Sequence, residues 1–284
     1  MNHPSRPATL YVVATPLGNL SDLSVRAAAV LRSVGVVAAE DTRRTRPLLA
    51  HVGSEARLVS YHAHSGERRE DAIVEMLRGG RDVALVSDAG TPAVSDPGAA
   101  LVKAAHEAGA TVVPIPGPSA VTAALSAAGF PADRYLMLGF APRRGGERDR
   151  LLDQAAAASW TVAFYEAPQR LVALLEDLAH RCGGDRPAAV ARELTKIHEE
   201  IRVATLSGLA AHYAAHPPLG ECTVLLAGRG ERPVEEAASL EDTARELARR
   251  LLTEGHSRKE VAKALTEELQ LARNAAYRVA MEVE

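Results

Sequence analysis

Short apolar runs alternate with longer amphipathic stretches along the first 115 residues or so. The run at positions 83–86, V-A-L-V, reads as a strand buried on both faces, because only such a strand is hydrophobic without alternation. Comparable runs at 10–14, 36–39, 57–61 and 111–115 predict four more strands. Between them, apolar residues recur at helical spacing: Leu20, Leu23, Ala27, Val30 and Val34 before Gly35; Ile73, Val74 and Leu77 before Gly79 and Gly80; Leu101, Val102, Ala105 and Ala108 before Gly109. Asp96 is expected to cap the last of these helices, with Pro97 at its first position. Strand and helix in regular alternation imply a parallel sheet.

Pro114, Pro116, Gly117 and Pro118 then mark a boundary or a rigid ligand loop. A helix of small residues follows through Ala128, and a second set of strands is expected at 134–140, 160–166, 188–192, 199–206 and 221–227. Leu171, Leu174, Leu175 and Leu178 form the stripe of another helix, while residues 142–150 read as an exposed, flexible basic loop. Beyond Gly228 the composition changes. Residues 231–238 look like a charged linker, and Ser239-x-x-Asp242 and Ser257-x-x-Glu260 are capping-box patterns that would start two helices. With a third helix at 274–281 they give a small helix-turn-helix-like appendix, for which packing alone is the commoner role. The expected organisation is a flexible N-terminus over 1–8, an α/β domain over 9–116, a second over 117–229, and a linker with helical domain over 230–284.

Composition narrows the class. A 284-residue chain with 47% hydrophobic and 24% charged residues is globular, and no apolar run reaches the length of a membrane span. The opening M-N-H-P-S-R-P lacks the apolar stretch of a secretory leader, so a cytoplasmic protein without membrane association is expected. Cys182 and Cys222 stand far apart, and His62 and His64 have no third ligand nearby, so neither a disulfide framework nor a metal is expected. A net charge of −3 argues against bulk attraction to nucleic acid. Contact with RNA would have to come from local patches, of which Arg43, Arg44 and Arg46 form one and Arg143, Arg144, Arg148 and Arg150 another.

Ligands of open α/β sheets sit beyond the carboxyl ends of the strands. The loops there are 15–19, 40–46, 88–94, 117–120, 166–168 and 193–196, rich in Gly, Pro, Ser and Thr. No G-x-G-x-x-G follows the first strand, and no P-loop, G-x-S-x-G elbow or H-E-x-x-H is present. These absences remove the common nucleotide, hydrolase and zinc-protease readings.

Six motifs stand in these loops in order: T-P-L-G-N-L-x-D-L-S-x-R-A, A-E-D-T-R-x-T, V-S-D-A-G-T-P-x-x-S-D-P-G, P-G-P-S-A, F-Y-E-A-P-x-R and R-E-L-T-K. Together they resemble the tetrapyrrole methylase superfamily, and within it the branch acting on small-subunit ribosomal RNA. The resemblance runs from Leu10 to Gly228, and the C-terminal N-A-A-Y-R-V-A-M-E is similar to the end of that branch's helical appendix. It implies a two-domain tetrapyrrole-methylase-like α/β fold, S-adenosylmethionine as methyl donor, a cytidine ribose 2′-hydroxyl of 16S ribosomal RNA as acceptor, in free RNA or the assembled 30S subunit, and a homodimer.

The family's cofactor pocket would fall on Leu17, Gly18, Asp88, Gly90, Thr91, Pro92, Val94, Ser119 and Ala120, joined by Tyr165, Glu166, Ala167 and Glu221. A ribose hydroxyl is a poor nucleophile until its proton leaves, so a base and a cation should stand near the donor methyl. Asp41 or Glu193 is the expected proton acceptor and Lys196 the positive group, with Arg43, Arg44, Arg143 and Arg144 on RNA phosphate. Two other functions fit the same motifs less well: methylation of a tetrapyrrole (precorrin-type) or other small molecule, and non-catalytic RNA binding with a vestigial pocket.

Overall fold

The computed structural model describes residues 8–62, 66–229, 234–269 and 273–283; His64 of the histidine pair and residues 1–7 of the expected flexible terminus lie outside them. The chain divides into two compact units, Met1–Arg229 and Gly230–Glu284.

The first unit holds two five-stranded sheets. Strands β1 (Thr9–Val13), β2 (Val36–Ala39), β3 (Arg57–Ser60), β4 (Val83–Val86) and β5 (Thr111–Ile115) lie in the order β3-β2-β4-β1-β5, all parallel. The unbroken apolar runs have the expected cause. Val36 and Ala38 face a core made with helices α3 (Glu67–Arg78) and α4 (Ala99–Glu107), while Val37 and Ala39 face another made with α1 (Val25–Ser33) and α2 (Thr42–Val52). β1 and β4 are neighbours whose following connections leave in opposite directions across the sheet, so the crevice between their loops is a topological switch point.

Four local expectations are corrected in this half. Leu20 and Leu23 do not belong to α1: Leu20–Asp22 is a 3-10 turn, and Ser24 caps α1 through Ala27 N. Residues 40–46 are not a loop, because Asp41 accepts a hydrogen bond from Arg43 N and starts α2 there. Asp96 does not cap α4, which begins at Ala99 behind Gly98, and Pro97 accordingly lies outside the helix. Gly98 takes φ +144°, where a side chain would be strained and its Cβ would press on Leu85.

β5 leads through Gly117 and Pro118 into α5 (Ala120–Ala128), which lies on one face of the second sheet through Val121, Ala124, Leu125 and Ala128. That sheet comprises β6 (Tyr135–Phe140), β7 (Thr161–Glu166), β8 (Pro187–Arg192), β9 (Glu200–Thr205) and β10 (Cys222–Leu226) in the order β6-β7-β10-β8-β9. Only β6 and β7 pair in parallel; the other neighbours are antiparallel. Helices α6 (Gly146–Ala157), α7 (Leu171–Cys182) and α8 (Leu206–Ala215) cover the opposite face around Phe164 and Val224. The basic loop expected at 142–150 is therefore shorter. Its second half is the first turn of α6, and Arg148 is held by Asp177 at 2.7 Å and by the Pro142 carbonyl.

The second unit consists of α9 (Val234–Thr253), α10 (Arg258–Glu268) and α11 (Arg273–Glu282), with Leu247, Val261, Leu265 and Val279 in its core. The Ser257 capping box is formed in both directions. The one expected at Ser239 is not, since α9 already runs from Val234 and includes most of the supposed linker; residues 231–233 lie outside the described ones.

Candidate active site

Between the two sheets lies a cavity of about 500 Å³, a size suited to a small ligand. Its floor comes from the switch point. Thr15 and Gly90 exchange both backbone hydrogen bonds at 2.8 and 3.0 Å, which joins the β1 and β4 loops like an extra rung of the sheet. Thr91 Oγ1 donates to the Pro118 carbonyl at 3.1 Å, and Gly117 approaches Ala14 so closely that a Cβ would meet it at 2.9 Å. The start of α5 is thereby fastened to the first sheet. The β2 end is fixed by Asp88, which accepts from Asp41 N at 3.0 Å and pairs with Arg44 at 3.3 Å.

Leu17, Gly90, Thr91, Val94, Ser119, Ala120, Tyr165 and Glu221, all expected on the pocket, line the cavity, together with Glu193, Lys196 and Arg44. Gly18 borders it through Lys196, whose stem lies where a Cβ of that glycine would go. Other expected residues are elsewhere. Pro92 is buried in its loop, and Asp88 serves the loop framework. Glu166 is fully buried, accepting from Ala167 N and pairing with Arg170 at 2.9 Å, so neither it nor Ala167 is on the cavity wall. Arg43, Arg143 and Arg144 are exposed and off the wall.

Asp41 is also off the wall, bound to Arg43 at 2.6 Å. The Arg43 guanidinium and backbone N–H bring its carboxyl down to about 2. A carboxylate that acidic is a weak base near neutral pH. Glu193 and Lys196 differ: both line the cavity, 2.8 Å apart, at the mouth of the β8 loop.

The cavity also gathers groups to which the sequence reading gives no role at the site, chiefly Glu40 and Asp96, which stand inside two of the motifs, and Phe140, which stands in none. Burial, reinforced by Glu40, Glu221 and Asp88, pushes Asp96 up to about 6, against a hydrogen bond from Ser87 that lowers it. Burial and then Asp88 also raise Glu40. The available signal was that Asp96 lies inside the central motif, where it could be read as a cap. Cys222 is on the wall as well, with its thiol pushed up to about 12 by burial, which leaves it inert.

Among the described residues, the non-glycine residues with positive φ are Ala93, Ser95, Glu193 and Thr195. They belong to two loops that meet at this cavity, and held strain of this kind concentrates at functional sites.

Residues 9–210 match the family model of the tetrapyrrole (corrin/porphyrin) methylases. The chain belongs to the tetrapyrrole methylase family. Within that family it is 41% identical over 275 residues to the ribosomal RNA small subunit methyltransferase I of Synechocystis sp., spanning 97% of this chain and 98% of that protein. Proteins of the same name from Micromonospora olivasterospora and Vibrio cholerae are 44% identical over 270 residues and 39% over 279. The first covers 95% of this chain and 85% of its own, the second 98% and 96%.

Solved structures bear out the tetrapyrrole methylase fold. Cobalt precorrin-4 methyltransferase superposes with a TM-score of 0.60 at 20% identity, over 77% of this chain and 94% of that one. Diphthine synthase gives 0.61 at 18%, over 78% and 90%.

Proposed function

We propose that the chain transfers a methyl group from S-adenosylmethionine to a cytidine ribose 2′-hydroxyl of 16S ribosomal RNA, as free RNA or in the small subunit. The observation that carries this reading is the near full-length similarity to proteins named ribosomal RNA small subunit methyltransferase I. The cavity supports the donor. Small side chains and backbone at Gly90, Thr91, Ser119 and Ala120 admit an extended ligand, Leu17 and Tyr165 offer apolar cover, and the carboxylates of Glu40, Asp96 and Glu221 suit a cationic one. The bound donor supplies an electrophilic methyl group on a positively charged sulfur.

Displacement at that methyl requires alignment and a deprotonated oxygen. In this reading Glu193 accepts the hydroxyl proton and the Lys196 ammonium stabilises the forming alkoxide, which their pairing on the cavity wall supports. Arg44 on the wall and the exposed Arg43, Arg143 and Arg144 suit phosphates of the RNA strand. A homodimer in the cytoplasm completes the proposal. Among the described residues no helix is long and apolar enough to cross a membrane.

The family's description keeps a tetrapyrrole acceptor as the second reading. The test is methyl transfer from labelled S-adenosylmethionine to small subunits, or their RNA, lacking the modification, with nuclease mapping of the product. Label on one cytidine 2′-oxygen is expected. Donor binding without label on RNA or subunits, but with label on a tetrapyrrole, would overturn the RNA reading.

A further inference from the structure

Phe140 is a large apolar side chain left 45% exposed on the wall of the cavity. The chain has only three phenylalanines, and Phe164, one position before the residue opposite Phe140 on the neighbouring β7, is fully buried. The backbone puts Phe140 where it is. Met137 pairs with Ala163, but the next pairing is Gly139 with Phe164, so one residue of β6 is extra. A bulge of this kind reverses the facing of every later side chain. Without it, Gly139 would stand opposite Tyr165; with it, Phe140 does, and the two rings lie 5.6 Å apart at 49°.

The bulge depends on Gly139 at φ +66°, whose open side rests against Ser95 of the strained β4 loop. One edge of the Phe140 ring is thus supported by Tyr165 while much of the rest faces the open cleft. β6 is an edge strand, and three and four residues further on stand the exposed Arg143 and Arg144. A half-exposed ring followed closely by exposed guanidinium groups is the combination that holds a single RNA strand, the ring for a base and the cations for phosphates.

We propose that Phe140 is the platform on which the base of the acceptor nucleotide stacks, so that its ribose is presented to Glu193 and Lys196. The inference rests on the RNA reading above and adds a positioning residue to it. In the reading above the donor lies against Leu17, Gly90 and Ala120, which would leave the Phe140 ring to the acceptor.

The experiment compares wild type with Phe140→Ala, Phe140→Leu and Phe140→Trp, using unmodified small subunits and their deproteinised RNA as acceptors at saturating donor. Donor affinity is measured separately by equilibrium dialysis. The Ala and Leu variants are expected to lose about tenfold or more in kcat/KM for the acceptor, chiefly through KM, with donor affinity within twofold of wild type. The Trp variant should retain most of the activity. Leu keeps the apolar packing and so separates stacking from folding. Unchanged acceptor KM in both Ala and Leu would overturn the inference, as would a loss of donor affinity that accounts for the whole effect, since the ring would then hold the donor's adenine. Wild type that binds donor but methylates no RNA would remove the RNA reading itself, and this inference with it.

Discussion

The stem of Lys196 lies across the backbone of Gly18 in the space where any side chain at position 18 would go, while its ammonium reaches Glu193 Oε1 at 2.8 Å. Gly220, at φ +74°, stands on the other side of the pair, where its missing side chain leaves room for the Glu193 carboxylate. Two glycines from different loops therefore seat one ion pair at the cavity.

Gly18→Ala is expected to displace Lys196 from Glu193 and lower methyl transfer by roughly ten- to hundredfold, the scale on which small misplacements at a reacting centre are felt. The melting temperature should change little, because the collision is with a half-exposed side chain. Combined with Lys196→Ala, the glycine substitution should add almost nothing further. A kinetic double-mutant cycle checks this, and additive losses would break the link.

The titration of Asp96 predicts a stability change with a definite sign. Its carboxyl is held at about 6 in the fold, above the ordinary carboxylate value, so the folded state binds its proton more tightly than the unfolded chain. That contribution is complete below about pH 4 and is lost as pH rises through about 6. Asp96→Asn should therefore stabilise the donor-free protein at pH 7.5 by about 1–2 kcal/mol, discounted for solvent in the open cavity, and give little gain at pH 4. Urea unfolding at the two pH values measures the difference.

Glu166 was expected on the cofactor pocket, yet its carboxylate is enclosed with Arg170 and the Ala167 N–H. Arg170→Met would leave that buried charge unpaired, at a cost of about 3–5 kcal/mol. Denaturant unfolding should show the loss, while donor affinity of the remaining folded protein stays near wild type.

Ser257→Ala removes one half of the capping box of α10 and should destabilise the C-terminal helical unit by about 1 kcal/mol. Amide exchange in α10 should quicken without a matching change in the sheets.

Much of this architecture is legible in the chain because the inner strands β2 and β4 of the first sheet are buried on both faces and so carry unbroken apolar runs, as at 83–86. Helix starts were harder to read. Asp96 has the residue type of a cap and precedes a proline, but the strained turn at Ala93, Ser95 and Gly98 delays α4 and releases the carboxylate to the cavity. α2 was hidden by its composition, T-R-R-T-R-P, in which charge obscures the stripe of Leu48, Leu49 and Val52. α8 was hidden for the opposite reason, since its alanines and glycine give almost no contrast between faces. Phe140 could not be assigned from periodicity, because an extra residue in β6 changes which side chains point inward and leaves no mark in the pattern except Gly139.

The segment that carries the chain from one sheet to the other is also part of the cavity wall: Ser119 and Ala120 lie on it between the contributions of Leu17 from the first sheet and Tyr165 from the second. A ligand that grips all three holds the crossover shut like a splint. Its binding free energy then becomes resistance of the connection itself to opening, about 2.7 kcal/mol at a hundredfold excess over Kd. Exchange of the Gly117 and Ser119 amides, the two N–H groups between positions 116 and 119, should slow once the cavity is filled, so the joint of the molecule serves as the reporter of its occupancy.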